Sequence, residues 1–218
     1  GKKIKTGIEI GFLGLFKAGI EWIKNKTIFT KEDFKKLPSS YNAKISSSDY
    51  NAKISSSGDY AKIGSSGNHS QIGSSGDNAK IGSSGDSTKI GSFGDNAKIG
   101  SSGDYAQISS SGNHAQISSS SDDTKISSSG YNAKISSSGD DTKISSSGYD
   151  CVIMCAGINS SAKAKIGSWI TLAEWKYSEE KQKYILFSVV TKQVDGIEIK
   201  EDVYYTLQDG KFKESEQQ

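Results

Sequence analysis

Six aspartates in the middle of the chain have a spacing that could bring carboxylates together. They are Asp86, Asp104, Asp122 and Asp140, each eighteen residues after the last, with Asp123 and Asp141 beside the final two. Carboxylates serve as general acids and bases, and their oxygens bind hard cations. No histidine or nucleophile accompanies these side chains, and Lys125 and Lys143 follow closely. We therefore interpret the aspartates as turn caps neutralised by the lysines, with an acid–base or cation site as the alternative.

Other reactive residue types form no known catalytic pattern in this chain. Serine is abundant, but the sequence has no G-x-S-x-G elbow, P-loop or zinc-ligand spacing. Cys151 and Cys155 are four residues apart on one extended segment, roughly 13 Å, which is too far for a disulfide. We interpret both as small buried residues. The sequence predicts no enzyme activity, no cofactor and no metal site.

The aspartate spacing belongs to a nine-residue repeat that runs from Tyr41 to about Ala162. Isoleucine recurs at every ninth position from Ile45 to Ile153, and so strict a period predicts a solenoid. A small residue lies two positions before each isoleucine, and Lys or Gln usually lies between them. This alternation predicts a short strand whose small residue and isoleucine face inward and whose Lys or Gln faces outward.

The second half of each repeat has the composition of a turn. Serine lies two positions after each isoleucine from Ser47 through Ser146, and glycine lies four positions after most of them. The serine slot has inward parity, so we expect a ladder of hydroxyls that bond to turn backbone groups. We expect the glycine to supply the positive φ that reverses the chain, and the Asp or Asn that often follows to cap the turn.

The predicted fold is all-β, a flattened parallel β-roll in which two nonapeptides form one eighteen-residue coil. About seven coils would stack into a roll roughly 34 Å long, with two facing sheets that share a thin Ala and Ile core. A three-sided solenoid with the same coil length is the alternative. His69 and His114 are an odd number of nonapeptides apart, so we expect them on opposite sides of the roll, where they cannot share a metal ion.

The ends of the chain are predicted to form caps on the solenoid at residues 41–162. In residues 1–40 we expect a strand at Lys3–Ile10, an amphipathic helix at Gly11–Lys24 and a connector; a partner or membrane-surface helix is the alternative. In residues 163–218 we expect an antiparallel cap, with strands over Gly167–Tyr177 and Tyr184–Val194 and a hairpin formed by Val203–Leu207 and Gly210–Lys213. Such caps cover the open edges of a stacked repeat.

The charge distribution excludes several classes of partner. All 27 basic residues are lysines, and the formal net charge is +2. Each of the three regions contains nine lysines. Residues 1–40 contain four acidic residues (net charge +5), residues 41–162 contain eleven (−2) and residues 163–218 contain ten (−1). A nucleic-acid binder is expected to carry a basic face with arginines, and a DNA mimic to be strongly acidic. The sequence has no strong nucleic-acid signature and no membrane span. We expect a cytoplasmic protein.

The nonapeptide resembles that of the calcium-binding RTX rolls, G-G-x-G-x-D-x-U-x. When isoleucine is aligned with the aliphatic position U, the position of the calcium-ligating aspartate falls on residues such as Ser70, Ala79 and Thr88. Without that carboxylate the turns have no calcium cage. We therefore expect a roll that does not depend on calcium.

A second resemblance involves the sequences that flank the repeat. The segments K-I-K-T-G-I-E-I and K-A-G-I-E-W-I before it, and G-S-W-I-T-L-A-E-W and Y-Y-T-L-Q-D-G-K-F after it, resemble a family of uncharacterised nonapeptide-repeat proteins met in phages, prophages and gut bacteria. The family implies no assigned activity. Its phage association makes a host defence component a candidate partner.

The function expected from the sequence is non-catalytic contact with another macromolecule, with a protein as the partner. The alternative is a structural or adhesive spacer in a virion or surface fibre, and a homo-oligomer formed through a cap is a further expectation. Contacts are expected where the uniform repeat is interrupted. The candidate contact residues are Asp122, Asp123, Asp140, Asp141, Tyr131, Tyr149, Phe93 and Trp22.

Overall fold

The computed structural model describes residues 40–215, which contain strands and turns and no helix. Each nonapeptide forms one short strand that begins at the Lys or Gln slot. The strands of the repeat are β1 (Lys44–Ser47), β2 (Lys53–Ser56), β3 (Lys62–Ser65), β4 (Gln71–Ser74), β5 (Lys80–Ser83), β6 (Lys89–Ser92), β7 (Lys98–Ser101), β8 (Gln107–Ser110), β9 (Gln116–Ser119), β10 (Lys125–Ser128), β11 (Lys134–Ser137), β12 (Lys143–Ser146) and β13 (Val152–Cys155). They are followed by β14 (Ser161–Lys163), β15 (Trp169–Ser178), β16 (Lys183–Gln193), β17 (Tyr205–Gln208) and β18 (Lys211–Glu214).

The strands form two sheets, which confirms the predicted two-sided parallel β-roll of about seven coils. Odd-numbered strands β1 to β15 stack in order in sheet A, which ends with β16, and even-numbered strands β2 to β14 stack in sheet B, which ends with β17 and β18. Neighbouring repeat strands are parallel and in phase, so that Ile45 pairs with Ile63 and Ile63 with Ile81. Each residue therefore lies beside the residue eighteen positions away.

The core consists of the two inward slots of the repeat. Isoleucines from Ile54 to Ile153 are at most 5% exposed, and the small residues two positions before them are buried from Ala61 onward, with Ala52 partly buried. Lysines such as Lys80 and Lys98 lie between these slots and are exposed. The alternation expected from the sequence is confirmed along the described repeat.

The turns differ from the sequence expectation at the glycine slot. The residue with positive φ is the one two positions after the glycine, such as Asn78 at φ 57° or His69 at φ 58°. The prediction that the glycine reverses the chain is wrong. A Cβ at Gly76 would lie 2.1 Å from the carbonyl oxygen of Gly58 in the preceding coil, so this slot needs glycine because two backbones approach closely. Ser121 occupies the slot once, with a buried Oγ that has no hydrogen-bond partner.

Where Asp or Asn follows the glycine, its side chain caps the turn of the next coil. Oδ1 of Asp77 accepts the backbone N–H of Asp95 at 2.8 Å, and Oδ1 of Asp86 accepts that of Asp104 at 3.1 Å. Asn68 and Asn113 make the same bond with their side-chain oxygens. The expectation that Asp and Asn cap the turns is confirmed.

The inward serines satisfy turn backbone groups only in part, contrary to the predicted ladder. In sheet A, Ser83 Oγ donates to Thr88 Oγ1 at 3.0 Å, and this hydroxyl donates to the carbonyl of Gly85 at 2.6 Å. At Ser101 and Ser92 the residue five positions later is alanine, and the buried Oγ has no partner. Ser56 Oγ, which also has an alanine five positions later, accepts the N–H of Gly58 at 3.3 Å. The inward hydroxyls are therefore satisfied in some coils and not in others.

The C-terminal cap continues both sheets of the solenoid. Strand β15 pairs in parallel with β13 and antiparallel with β16, and β17 pairs antiparallel with β14. The two long strands and the final hairpin were predicted and are confirmed. Glu174 on β15 joins the sheets, because its carboxylate accepts the N–H groups of Asp209 and Gly210 between β17 and β18.

The helix predicted at Gly11–Lys24 and the strand predicted at Lys3–Ile10 lie outside the described residues. Within residues 40–215 there is no helix of the length and apolarity needed to cross a membrane.

Candidate functional site

The aspartates singled out in the sequence lie in one column on the A-to-B edge, the row of turns that lead from sheet A to sheet B. Oδ1 of Asp122 accepts the N–H of Asp140 at 2.8 Å, and Oδ1 of Asp140 accepts the N–H of Ile158 at 2.7 Å. Asp123 and Asp141 are the positive-φ residues of the same turns. Each of the four thus has a structural position in a turn, as the turn-cap interpretation predicts.

The described residues do not assemble these carboxylates into a metal-binding group of three or more ligands. The lysines expected to neutralise them, Lys125 and Lys143, are the first residues of β10 and β12 in sheet B. Lys143 lies on the outer face of sheet B, with its Nζ 4.7 Å from the centroid of the Tyr204 ring. Lys125 forms no ion pair with a described residue.

Tyr131 and Tyr149 form an exposed aromatic pair on the B-to-A edge, the opposite row of turns. Their ring centroids are 5.9 Å apart with an interplanar angle of 26°, and the residues are 53% and 48% exposed. The two rings stack because the residues are eighteen positions, one coil, apart. Rings held in this way lose little conformational freedom when they are covered by a partner, which favours their use in contacts.

The remaining candidates differ in accessibility. Phe93 follows β6 on the sheet B side and is half-buried, less accessible than its outward slot suggested. Trp22 lies outside the described residues. His69 and His114 are the positive-φ residues of turns on opposite edges, as expected. Cys151 and Cys155 are free and buried, and burial raises the pKa of the Cys155 thiol to about 12, which keeps it protonated and unreactive.

The outer face of sheet A is a flat surface built from two columns of side chains. One column consists of the first residues of the strands, Lys44, Lys62, Lys80, Lys98, Gln116, Lys134, Val152 and Trp169, and the other of the outward residues two positions later, Ser46, Gly64, Gly82, Gly100, Ser118, Ser136, Met154 and Thr171. A shallow groove of about 1050 Å³ runs along this face from Lys44 to Met154, past both the glycines and the serines of the second column. The lysines of this face form no ion pair with a described residue.

An apolar surface at the C-terminal end of sheet A was not predicted from the sequence. Large side chains on the outer face of β15 and β16 are about half exposed, namely Trp169, Tyr177, Tyr184, Leu186 and Val189. Val152 and Met154 on β13 extend this apolar patch toward the lysines. The run of residues 184–190, apolar at all but one position, could have revealed the patch; within that run Phe187 lies against the Lys176 ammonium group, 3.7 Å from the ring centroid, and is not part of it. Soluble proteins rarely expose so many large apolar side chains together unless they contact a partner.

Two carboxylates stabilise the ends of this patch. Burial raises the pKa of Glu174, but the N–H groups of Gly210 and Asp209 and the side chains of Lys176 and Ser188 outweigh burial and hold the pKa below its ordinary value. The N–H groups of Ile197, Ile199 and Glu198 likewise lower the pKa of Asp195. Both side chains are therefore fixed anions that order loops.

In the described solenoid the titratable side chains lie in parallel rows along the faces and edges. Such rows can contact an extended surface through charges and rings at regular intervals. Comparison with known proteins adds nothing to this geometry, because no family model, no curated protein and no solved structure matches the chain.

Proposed function

We propose that this chain is a non-catalytic binding protein that acts by contact with another protein. The observation that carries the proposal is the apolar patch formed by β13, β15 and β16 at the end of a rigid roll. Aromatic and aliphatic side chains that are uncharged and half exposed are typical of the centres of protein–protein interfaces. A nucleic acid would instead favour a surface rich in arginine and lysine.

The order of the surrounding structure supports this function. The patch lies on strands that continue sheet A, and Glu174 fixes β15 to the terminal hairpin. A surface held in one conformation pays little entropy on binding. The resemblance of the terminal segments to phage-associated proteins makes a bacterial defence protein the first partner to test, with inhibition as the consequence of binding.

The test is capture of partners from a bacterial lysate by the intact chain, with quantification by mass spectrometry. Leu186→Thr and Val189→Thr remove apolar surface and place a β-branched residue, which favours strands, at each position. Lys89→Gln on sheet B is the control, because the chain itself has Gln71 and Gln107 in that slot. We expect the two patch variants to lose a protein that the control retains. Capture that is equal for all three would refute the patch as the binding surface.

A structural spacer is the second candidate, favoured by the unchanged register of every repeat strand. Deletion of residues 77–94 removes one coil and leaves the stacking of all other slots intact. A binder that uses its end should still hold its partner after this deletion. A spacer should lose its biological role in proportion to its length, whether or not it binds a partner.

A further inference from the structure

We propose that the free edge of β16 binds an extended segment of the partner protein, which adds a strand to sheet A. This inference deepens the proposed function and rests on it, because the segment would belong to the protein that covers the apolar patch. Strand addition of this kind combines main-chain hydrogen bonds with side-chain contacts on both faces of the sheet.

Alternate residues of β16 direct their backbone groups away from β15. Trp169 donates its N–H to the carbonyl of Cys151 beside β13, and the direction alternates along a strand. Leu172 therefore faces β16, where it pairs with Val190, and Val190 faces β15 in return. By the same alternation the backbone groups that point to the free edge are those of Val189, Thr191 and Gln193.

None of the described residues occupies this edge. β16 is the last strand of sheet A. From residues 40–215, no hydrogen bond outside the pairing with β15 reaches the backbone of Val189, Thr191 or Gln193. All three residues are exposed. They present the row of donors and acceptors that a further strand needs.

The straight part of the edge consists of Ser188–Gln193. A bulge leaves Phe187 unpaired, and the register is regular from Ser188 onward, which corresponds to ~20 Å of strand. The charged side chain in this part is Lys192, whose Nζ lies 2.8 Å from a carboxylate oxygen of Glu198. The edge is therefore long enough for several main-chain bonds and carries little net charge.

The other sheet ends in the described residues carry features that discourage strand pairing. β18, at the end of sheet B, has Lys211, Lys213 and Glu214 among its four residues. β1 and β2 also have four residues each and begin with a lysine. Short edge strands with charged side chains resist pairing with other chains. β16 differs from them in both length and charge.

The side chains on the two faces of the edge indicate which segment would fit. Val189 lies on the outer face within the apolar patch, and Val190 lies on the inner face beside Leu172, packed against the core but only partly buried. Residues of an added strand lie ~4.5–5.5 Å from their cross-strand neighbours. Apolar, β-branched residues at successive positions would cover the patch on one face and extend the core on the other.

A second copy of this chain fits the edge less well than a single segment. Antiparallel pairing of β16 with its own copy would place two rolls end to end, and the ends of sheet B would meet too, because each sheet has nine strands. β18 would then oppose its copy, with lysine near lysine or Glu214 near Glu214 at the axis. Like charges directly opposite destabilise a strand pair. A single extended segment meets sheet A alone.

The test is amide hydrogen exchange of the intact chain, measured by NMR. In the free chain the amides of Val189 and Thr191 should exchange rapidly, whereas those of Val190 and Lys192, which face β15, should be protected. The peptide acetyl-S-T-V-I-V-T-S-amide should slow exchange at Val189 and Thr191 by about tenfold or more. Edge amides that are protected without the peptide, or unchanged with it, would overturn the proposal.

N-methylated forms of the same peptide are the matched controls. A strand presents alternate amides to its neighbour, so methyl groups on one alternate set should abolish the slowing of exchange, and methyl groups on the other set should preserve it. If both sets have equal effects, the peptide binds through its side chains alone, and strand addition is refuted.

Two substitutions at one position test the edge from the side of the protein. Thr191→Pro removes an N–H that the described chain does not use, and proline is tolerated on edge strands at such positions. Thr191→Val keeps the N–H and removes the hydroxyl that lies 2.9 Å from that of Thr171. We expect Thr191→Pro to weaken peptide binding by about tenfold and Thr191→Val to preserve it. Equal binding by both variants, with Val190 still protected, would contradict the proposal.

The capture experiment separates this inference from the proposed function. A protein that is retained by Thr191→Pro but lost from Leu186→Thr would support the apolar patch as the binding surface and refute strand addition. If no captured protein depends on the patch, but the peptide protects alternate edge amides, the proposed function fails and β16 remains a strand-binding edge.

Discussion

The substitution Ala106→Thr should stabilise the roll, because it completes a chain of internal hydroxyls. In the slot of Ala106 within sheet B, Ser160 lies beside Cys155, and the four other hydroxyl residues lie opposite serines of sheet A, at Ser70, Thr88, Thr124 and Thr142. In each of them this hydroxyl bonds to a serine of sheet A at 2.8–3.3 Å and donates to a turn carbonyl at 2.6–3.0 Å. Only Ala106 breaks the series between Thr88 and Thr124, and it leaves Ser101 Oγ buried without a partner.

The magnitude follows from the bonds gained. Each internal hydrogen bond contributes ~0.5–1.5 kcal/mol net, so two bonds give about 1–3 kcal/mol. The added methyl group has to fit beside Thr88 and Thr124, which already carry methyl groups in the same column, so crowding should cost little. We expect a net gain of about 1–2 kcal/mol in the free energy of unfolding, or roughly 3–6 °C in Tm for a chain of this size.

The assay is urea denaturation followed by far-UV circular dichroism and by tryptophan fluorescence, with agreement between the two probes as the condition for assigning a free energy. Ala106→Val is the control, because valine has the shape of threonine without the hydroxyl. Thr88→Ala should lower stability by about 2 kcal/mol, since it orphans Ser83. If Ala106→Val stabilises as much as Ala106→Thr, packing and not hydrogen bonding is the cause. Destabilisation by Ala106→Thr would show that the corner has no room.

Three further predictions address the core, the turns and the cap. Ile99→Asp should unfold the roll, because Ile99 is 2% exposed and burying an isoleucine contributes about 1.5–3 kcal/mol to stability. Lys98→Ala, in the neighbouring outward slot, should shift Tm by no more than a few degrees. Equal effects of the two substitutions would contradict the assigned register. Gly94→Ala should lower folding stability by more than about 1 kcal/mol, since the new Cβ would lie 2.1 Å from a carbonyl oxygen. Gly82→Ala, which has open space around it, should be nearly neutral in the same thermal melts. The pKa of Glu174 is lowered in the folded chain, so its contribution to folding stability is complete above about pH 5 and is lost as the pH falls through the folded-state pKa. Glu174→Gln should therefore flatten the acid limb of an unfolding titration followed by tryptophan fluorescence. An unchanged acid limb would rule out this role.

The architecture could be predicted from the sequence because the nine-residue period is visible in the order of the residues. Ile and a small residue alternate with Lys, and this pattern alone assigns inward and outward faces. The strict nine-residue spacing then determines which residues stack. The strands of the C-terminal cap were also readable, since long alternating segments such as Trp169–Ser178 differ from the short repeat strands. These conclusions depend on local patterns that a single chain displays.

The details that the sequence analysis missed depend on contacts between coils. Glycine was assigned the positive φ by its usual preference, but Gly76 is required by the carbonyl of Gly58 eighteen residues earlier. The positive φ falls on Asn78 instead, a residue type that tolerates it. The predicted ladder of serine hydroxyls is incomplete for the same reason. Ser101 Oγ, for example, has no hydrogen-bond partner because position 106 carries alanine and not a hydroxyl residue. Stacking of backbones and hydroxyls cannot be read from one repeat.

The distribution of variation within the repeat separates structural from contact residues. Inward slots accept few residue types, since each side chain packs against its own kind in the coils above and below. The outward slots vary between Lys and Gln or between Gly and Ser without any change in register. Structure therefore does not dictate the outward residues Val152 and Met154, nor the edge residues Tyr131 and Tyr149. Val152 and Met154 expose apolar surface where the other outward slots are polar or small, and Tyr131 and Tyr149 expose rings in a turn slot that holds Asp or Asn in most coils; a binding partner would explain this cost in solubility. Returning Val152 and Met154 to the Lys and Ser of the neighbouring coil should thus leave the fold intact and weaken contacts only.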